Sequence, residues 1–523
     1  MTSEQHPRRT FLQRVGGAAA LVTVGTGEVA AAPPAGDYEF ETNPFRIGVG
    51  SGDPLPESIV LWTRLVPEPL EPGGGMPEET VSVRWEVATD EAIEDVVASG
   101  DAPARPELAH SVHVDVRELD PGTEYFYRFT AGGTQSPVGR TQTAPAPGAD
   151  VEAFCFAFAS CQNYPSGYYT AYDNMVDEDL DLVIQLGDYI YEGGASSEFD
   201  RDHEPPREIQ SLSDYRIRHA QYKSDPNLQA AHGSFPWLVT WDDHEVKNNY
   251  ADEKHPSAPP EEFLQRRANA YQAYYEHQPL RPSRMPEGPD LPLYRRFEFG
   301  SLATFNVLDT RQYRDDQTGN SDEAKSRDRT ILGADQREWL LDGLRRSTTR
   351  WNVIAQQVPF AARDDNPAPG MENFGGGDKW DGYRADRDRV TDAMAENVDS
   401  LNPVIVTGDV HRNFVYDIKA NFYDEDSATV GTEYVGTSIS SFGDGTGVTT
   451  YGEDPNDPWR KFMNDERGYV RCTVTPEKWR TDYRVVSTVE EPEADVETRA
   501  SFVTEAGDPG AERVSSRSPP YDP

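Results

Sequence analysis

LDLVIQLGDYIYE, residues 180–192, is a near-continuous apolar run that stops abruptly at Gly187 and Asp188. A short apolar run closed by turn residues reads as a strand buried on both faces. Five other runs share the form: FCFAFAS (154–160), WLVTWDD (237–243), ATFNVLDT (303–310), WNVIAQQ (351–357) and NPVIVTGD (402–409). Helical patterns lie between them at 168–177, 263–277 and 334–346, the last with Trp339, Leu340 and Leu344 at helical spacing. Strands alternating with helices predict an α/β domain from about Val151, its sheet covered on both faces.

Upstream, from about Asn43 to Ala144, the pattern is all-β. SIVLWTRLV, VSVRWEVA, SVHVDVREL and TEYFYRFTA are short alternating runs separated by Gly/Pro turns. LDPGTEYFYRF places a turn before a strand with aromatics at alternate positions, as in immunoglobulin-like and fibronectin-like sandwiches. Pro145-Ala146-Pro147-Gly148 reads as a linker. After about Val489 the chain is rich in Glu, Asp, Pro and Ser and is expected to be disordered. The expected division is a signal peptide at 1–33, a β-sandwich at 43–147, a catalytic domain at 151–488 and an acidic tail at 489–523. No internal repeat is present.

The 523 residues suffice for two or three domains. Acidic side chains outnumber basic ones by 91 to 49, a net charge of −42. Such a field disfavours stable binding to nucleic-acid backbones and anionic membranes. A phosphate substrate is still permitted, because bound cations invert local charge. The Lys-poor acidic composition reads as halophilic, with a merely acidic secreted protein as the alternative. Near the N-terminus, Arg8-Arg9-Thr10-Phe11-Leu12 precedes a weakly apolar run from Val15 to Val24 and the small residues Ala30-Ala31-Ala32. This is a twin-arginine export pattern, which implies the twin-arginine translocation machinery as a partner and an extracellular or cell-surface location. The run is too short for a permanent transmembrane anchor.

Almost every catalytic-domain strand run ends in a titratable or metal-binding residue. Cys161 follows the first; Asp188 and then Tyr191 follow the second. Asp242-Asp243-His244-Glu245 and Asn248-Asn249 follow the third, Asp309 and Arg311 the fourth, and Asp409 and His411 the last. Ligands of open α/β sheets bind at such carboxyl strand ends. A single Asp there is ordinarily a turn residue or helix cap; a shared metal centre accounts for all five ends together. Cys161 and Tyr191 suit a transition metal. Asp243, Asn248 and Asp409 are oxygen donors suited to Ca²⁺, Mg²⁺ or Mn²⁺, and Asp188 stands where it can bridge two ions. A metal pair can clamp a phosphoryl group, leaving His244 to protonate the leaving alkoxide.

SCQ, GDYIYE, WDDHEVKNN, DTRQYR, LGADQREWL, NVIAQQ and TGDVHRNF, in this order, resemble the PhoD-type alkaline phosphatases. These are relatives of the purple-acid-phosphatase-like metallophosphoesterases. The resemblance runs from about Asn43 to Val486. It implies a metallophosphoesterase-like β-sandwich flanked by helices, preceded by a small all-β immunoglobulin-like domain. It also implies Fe³⁺ and Ca²⁺, with Mn²⁺ or Zn²⁺ as alternatives. Cys161, Asp188, Tyr191 and His411 match the iron ligands, with Asp188 bridging. Asp243, Asn248 and Asp409 match the calcium side, and His244 the superfamily's catalytic histidine. Cys161 and Asp409 depart from the wider superfamily, which has Asp and His there. Asp242 and Asp243 both fit one ligand slot; aligning DDHE on GNHE selects Asp243. Arg311 is the candidate clamp for substrate oxygens, or else a structural ion pair with Asp309 or a neighbour.

His203, His219, His232 and His255 lie in polar segments and are expected at the surface. Trp237 and Trp241 are expected in the core, and Cys155 and Cys472 as small buried residues. The expected function is hydrolysis of phosphomonoesters and phosphodiesters by metal-activated water or hydroxide, to scavenge phosphate outside the cell. The alternatives are a phospholipase-D-like or nucleotide phosphodiesterase of the same fold, and a secreted Ca²⁺-stabilised binding protein.

Overall fold

A computed structural model describes residues 38–195, 199–364, 377–396, 401–424, 426–452, 454 and 456–515. The twin-arginine segment lies outside these residues. Two large sheets form the catalytic body. One has ten strands in the spatial order Asp508–Val514, Val496–Glu505, Lys478–Val486, Gly468–Val474, Phe154–Ala159, Leu182–Gln185, Pro236–Val239, Val49–Leu55, Ser58–Arg64 and Ser111–Arg117. The other has eight: Arg295–Phe299, Ala303–Val307, Trp351–Ala355, Pro403–Thr407, Thr429–Val435, Asn413–Lys419, Arg460–Asn464 and Thr449–Tyr451. The central strands of both are parallel, so their carboxyl ends emerge along one edge of each sheet.

The six apolar runs all form strands, and they are apolar throughout because both faces are covered. Side chains alternate in direction along a strand. Phe154, Phe156, Phe158, Leu182, Ile184 and Leu238 turn inward to meet Phe305, Val307, Val353, Ala355, Val404 and Val406 of the second sheet. Ala157, Ala159, Val183, Trp237 and Val239 turn outward onto Tyr215, Tyr222, Phe263, Tyr271 and Tyr274, which lie on helices. Ile354 and Ile405 back onto Leu340, Leu344, Val390 and Met394 of helices Gly333–Arg346 and Arg384–Glu396. The result is four layers, helix–sheet–sheet–helix, in which the central strands of each sheet are covered by helices on one face and by the partner sheet on the other. Trimming an inner-face Phe such as Phe156 to Ala would cost about 3–5 kcal/mol. Trp237 and Trp241 are fully buried. The three expected helices occur at Thr170–Met175, Pro260–His277 and Gly333–Arg346.

Three of the N-terminal strands share a sheet with the catalytic body. Val49–Leu55 pairs parallel with Pro236–Val239 and carries Ser58–Arg64 and Ser111–Arg117 into the ten-stranded sheet. Val96–Ala104, Val81–Ala88, Glu124–Ala131, Thr134–Gln135 and Gly139–Gln142 form a five-stranded sheet. It packs through Val83, Val87, Tyr127 and Phe129 on Ile59, Leu61, Val112 and Val114.

The acidic tail expected to be disordered is instead ordered as two strands as far as Val514. Val496–Glu505 pairs antiparallel with Lys478–Val486, and Asp508–Val514 pairs with it in turn. Ala500 and Phe502 bury into the inter-sheet core while the charges of this segment face outward. Residues 516–523 lie outside the described residues.

Candidate metal centre

Three strand ends of the ten-stranded sheet and two of the eight-stranded sheet meet at this edge. Gly187 and Gly408 allow the approach. A Cβ on Gly187, at φ +112°, would stand 2.5 Å from Cβ of Asp242, and one on Gly408 would stand 2.4 Å from Oγ of Ser160. Only glycine lets adjacent strand-end loops close this far, so the Gly-Asp pairs at 187–188 and 408–409 reflect packing as well as chemistry.

Ligand-type atoms of Cys161, Asp188 and His411 lie within 4.8 Å of one another, as do those of Asp188, Asp243 and His244. Asp188 is common to both groups. The Tyr191 hydroxyl donates to Asp188 Oδ2 (3.0 Å) and lies 3.3 Å from His411 Nε2, while Ser441 Oγ reaches it at 2.9 Å. Cys161, Asp188, Asp409 and His411 all adopt left-handed backbone, at φ +59°, +55°, +67° and +53°. Such conformations cost about 1–3 kcal/mol each in non-glycine residues and collect at functional sites.

The electrostatics describe an anionic cluster short of counter-charge. Burial pushes the Cys161 thiol well up, and the Asp188 carboxylate adds to this. Burial raises Asp188 too, against the pull of His244 and with the push of Asp243 and Asp242. Asp409 is raised by burial and by Asp242 and Asp378. Asp243 is held low by Arg311 and His244 in spite of burial, yet its Oδ1 is buried without a hydrogen-bond partner. Thiol, phenol, imidazole and carboxylate oxygens in this arrangement fit bound cations, which would offset the cost of ionising these groups.

Not every expected ligand joins the cluster in the same way. Asn248 is exposed and meets the site through its backbone N–H, which donates to Glu192 Oε1 (2.9 Å). Its neighbour Asn249 donates its backbone N–H to Asp243 Oδ2 (2.6 Å), and its amide faces Asp378 at 3.3 Å. Asp242 is engaged by Arg311 Nε (2.5 Å), so Asp243 is the member of the pair grouped with Asp188. Arg311 does not stand open as a substrate clamp: it is fully buried, with Nε on Asp242 and both terminal nitrogens on Asp378 (2.5 and 2.6 Å). It is the ion pair with neighbouring carboxylates.

Several working residues carried no role in the sequence analysis. Glu192 accepts from His244 at Nδ1 (2.6 Å), and the Tyr191 ring stacks on His244 with centroids 4.2 Å apart. Burial alone would lower His244, but Asp188, Asp243 and Glu192 outweigh it and push the imidazole well up. Glu245 accepts the backbone N–H groups of Tyr189 (2.6 Å) and Asp242 (2.9 Å), locking two strand-end loops together. Arg218 donates to the carbonyls of Tyr191 and Gly193.

Three of the four histidines expected at the surface are buried, and only His255 is partly exposed. His203 Nε2 and the Tyr222 hydroxyl are 2.8 Å apart, and that hydroxyl accepts the N–H of Tyr191 (3.2 Å). His232 lies 2.8 Å from the Tyr189 hydroxyl, and His219 stacks on His277. They brace the loop that follows the Leu182–Gln185 strand. Cys472 is buried and Cys155 half-buried; both are free thiols.

Residues 156–483 match the family model described as PhoD-like phosphatase, and residues 29–145 match that of the PhoD-like phosphatase N-terminal domain. Alkaline phosphatase D of Bacillus subtilis (strain 168) is 50% identical over 537 residues, spanning 97% of this chain and 89% of the relative. A solved structure described as that of PhoD superposes with a TM-score of 0.86 at 50% identity, covering 92% of this chain and 94% of the other.

Proposed function

Since this chain belongs to the PhoD-like phosphatase family and is a phosphoric ester hydrolase, we propose that it is an exported enzyme. On this reading it cleaves phosphomonoesters and phosphodiesters at the centre built on Asp188. The observation that carries the proposal is the convergence of Cys161, Tyr191 and His411 on one side of Asp188 and of Asp243 and His244 on the other. Cys161, Asp188, Tyr191 and His411 would hold Fe³⁺. Asp188, Asp243 and Asp409 would hold Ca²⁺, with Asn248 completing that side. Bound there, the cations would draw charge from a phosphoryl oxygen and make water nucleophilic at neutral pH.

His244 supplies the proton. Its Nδ1 is held by Glu192, which leaves Nε2 as the nitrogen able to protonate a departing alkoxide. Tyr191 stacks on the imidazole and fixes its plane. Arg311 acts at one remove, holding Asp242 and Asp378 so that Asp243 is presented to the cluster.

Export follows from the twin-arginine pattern at 8–12; among the described residues no helix is long and apolar enough to cross a membrane. The net charge of −42 supports a protein that works in concentrated salt. The five-stranded sheet on its three-strand partner supports an immunoglobulin-like reading of the N-terminal segment. The test is metal analysis of protein folded in its own host, paired with rates on monoester, diester and phospholipid substrates. Expected are iron and calcium together, with the water-soluble esters preferred over phospholipid. Full activity in excess EGTA would overturn the metal assignment.

A further inference from the structure

Phe442 is the most exposed large apolar side chain among the described residues, at 76%. It is also one of thirteen non-glycine residues with left-handed backbone among the described residues, at φ +63°. A phenylalanine in that position contributes neither burial nor relaxed backbone, and neighbouring Gly443 shows that glycine is accommodated in the same turn. Residues that are locally unfavourable in two ways mark function more often than stability.

Its surroundings are specific. The ring lies 4.9 Å from that of His411, tilted by 57°. The loop that presents it is fastened on both sides to the metal centre. Ser441 Oγ donates to the Cys161 carbonyl (2.7 Å) and contacts the Tyr191 hydroxyl (2.9 Å), and Ser440 Oγ donates to the Asn163 carbonyl (2.9 Å). One guanidinium ties the two turns together: Arg467 donates through Nε to the Gly443 carbonyl (2.6 Å) and through Nη1 to the His411 carbonyl (2.9 Å). The base of the loop is therefore held by hydrogen bonds on both sides, and the exposed ring stands beside His411 at the mouth of the site.

We propose that Phe442 is a stacking platform for the leaving group and selects phosphate esters whose alcohol carries a planar ring, as in a nucleotide. The inference rests on the phosphatase reading of the same site. With a phosphoryl group at the cluster that includes His411, the ester's alcohol side emerges at the mouth of the site. A solvent-exposed aromatic face there stacks on a nucleobase without regard to its hydrogen-bonding edge. Glycerol phosphate, with no ring, gains nothing from it.

The test compares kcat/KM for adenosine 5′-monophosphate and glycerol 3-phosphate, two esters of primary alcohols, in metal-replete wild type, Phe442→Leu and Phe442→Trp. Phe442→Leu is expected to lower the nucleotide-to-glycerol ratio about tenfold, through KM for the nucleotide, as one base–aromatic stack permits. Phe442→Trp should restore the ratio or exceed it. An unchanged ratio, or equal losses on both substrates, would overturn the assignment by making Phe442 a prop for His411. Wild type that hydrolyses neither ester would instead sink the underlying reading, and this inference with it.

Discussion

Glu192→Gln isolates the contact that orients the proposed acid. The substitution keeps the side chain's size and an oxygen to accept from the Asn248 N–H, and it removes the charge 2.6 Å from His244 Nδ1. Burial alone would push the Glu192 carboxyl up. The charge and hydrogen bond of His244, with the Asn248 N–H, hold it down instead, at about 2 against an ordinary 4.5. At about 1.36 kcal/mol per pH unit this corresponds to roughly 3 kcal/mol of preference for the ionised form. His244 supplies most but not all of it, so about 2–3 kcal/mol of orientation and charge is at stake, or about 30- to 150-fold in rate. The assay is steady-state hydrolysis of a phosphomonoester with metal content measured on the same samples. The expected result is a fall in kcat of that size with KM within about threefold and metal retained. A kcat within threefold of wild type would refute the pairing, and so would a rate that falls only in step with lost metal.

Three further outcomes are expected. In metal-stripped protein Asp242 sits at about 6 and Glu245 at about 8, both raised chiefly by burial. Their contribution to stability is present below about pH 4 and is lost as pH rises through those values. The melting temperature of stripped protein should therefore fall between pH 5 and pH 9; a flat profile in scanning calorimetry would contradict the burial of these two carboxyls. Iron-replete Tyr191→Phe should lose or shift a visible charge-transfer band while staying folded, and an unchanged absorption spectrum would remove the phenolate ligand. Arg311→Met should cost about 3–5 kcal/mol in urea unfolding, because it leaves the buried carboxylates of Asp242 and Asp378 without their partner; a loss below 1 kcal/mol would return Arg311 to the substrate side.

The catalytic strands were legible because burial on two faces erases polar alternation, leaving runs such as FCFAFA that nothing else in a soluble domain requires. The residues after those runs were legible as chemistry because carboxyl strand ends gather ligands whatever the loop sequence. What stayed hidden acts at long range. VETRASFVTE reads as a charged tail, yet Ala500 and Phe502 suffice to anchor it against an existing sheet edge. His203, His219 and His232 look solvated beside their sequence neighbours, and their burial comes from Tyr222, His277 and Tyr189, brought in by the fold. Asp378 lies in a Gly-rich loop with no motif, and its value appears only once Arg311 and Arg314 are seen to converge on it.

The Phe154–Ala159 strand, which leads to Cys161, has its two neighbours at very different places in the chain. Leu182–Gln185 follows it directly, whereas Gly468–Val474 comes only after every candidate ligand has been made. During synthesis the Phe154–Ala159 strand therefore waits with one row of N–H and C=O groups unpaired, an edge open to wrong partners. The sheet cannot be completed vectorially, and late pairing of this kind is slow. The loop that carries Cys161 is framed on that side only once residues 468–474 have folded back onto the strand before it. A nascent chain held on the ribosome, or one truncated before residue 468, would present the ligands without the frame that spaces them.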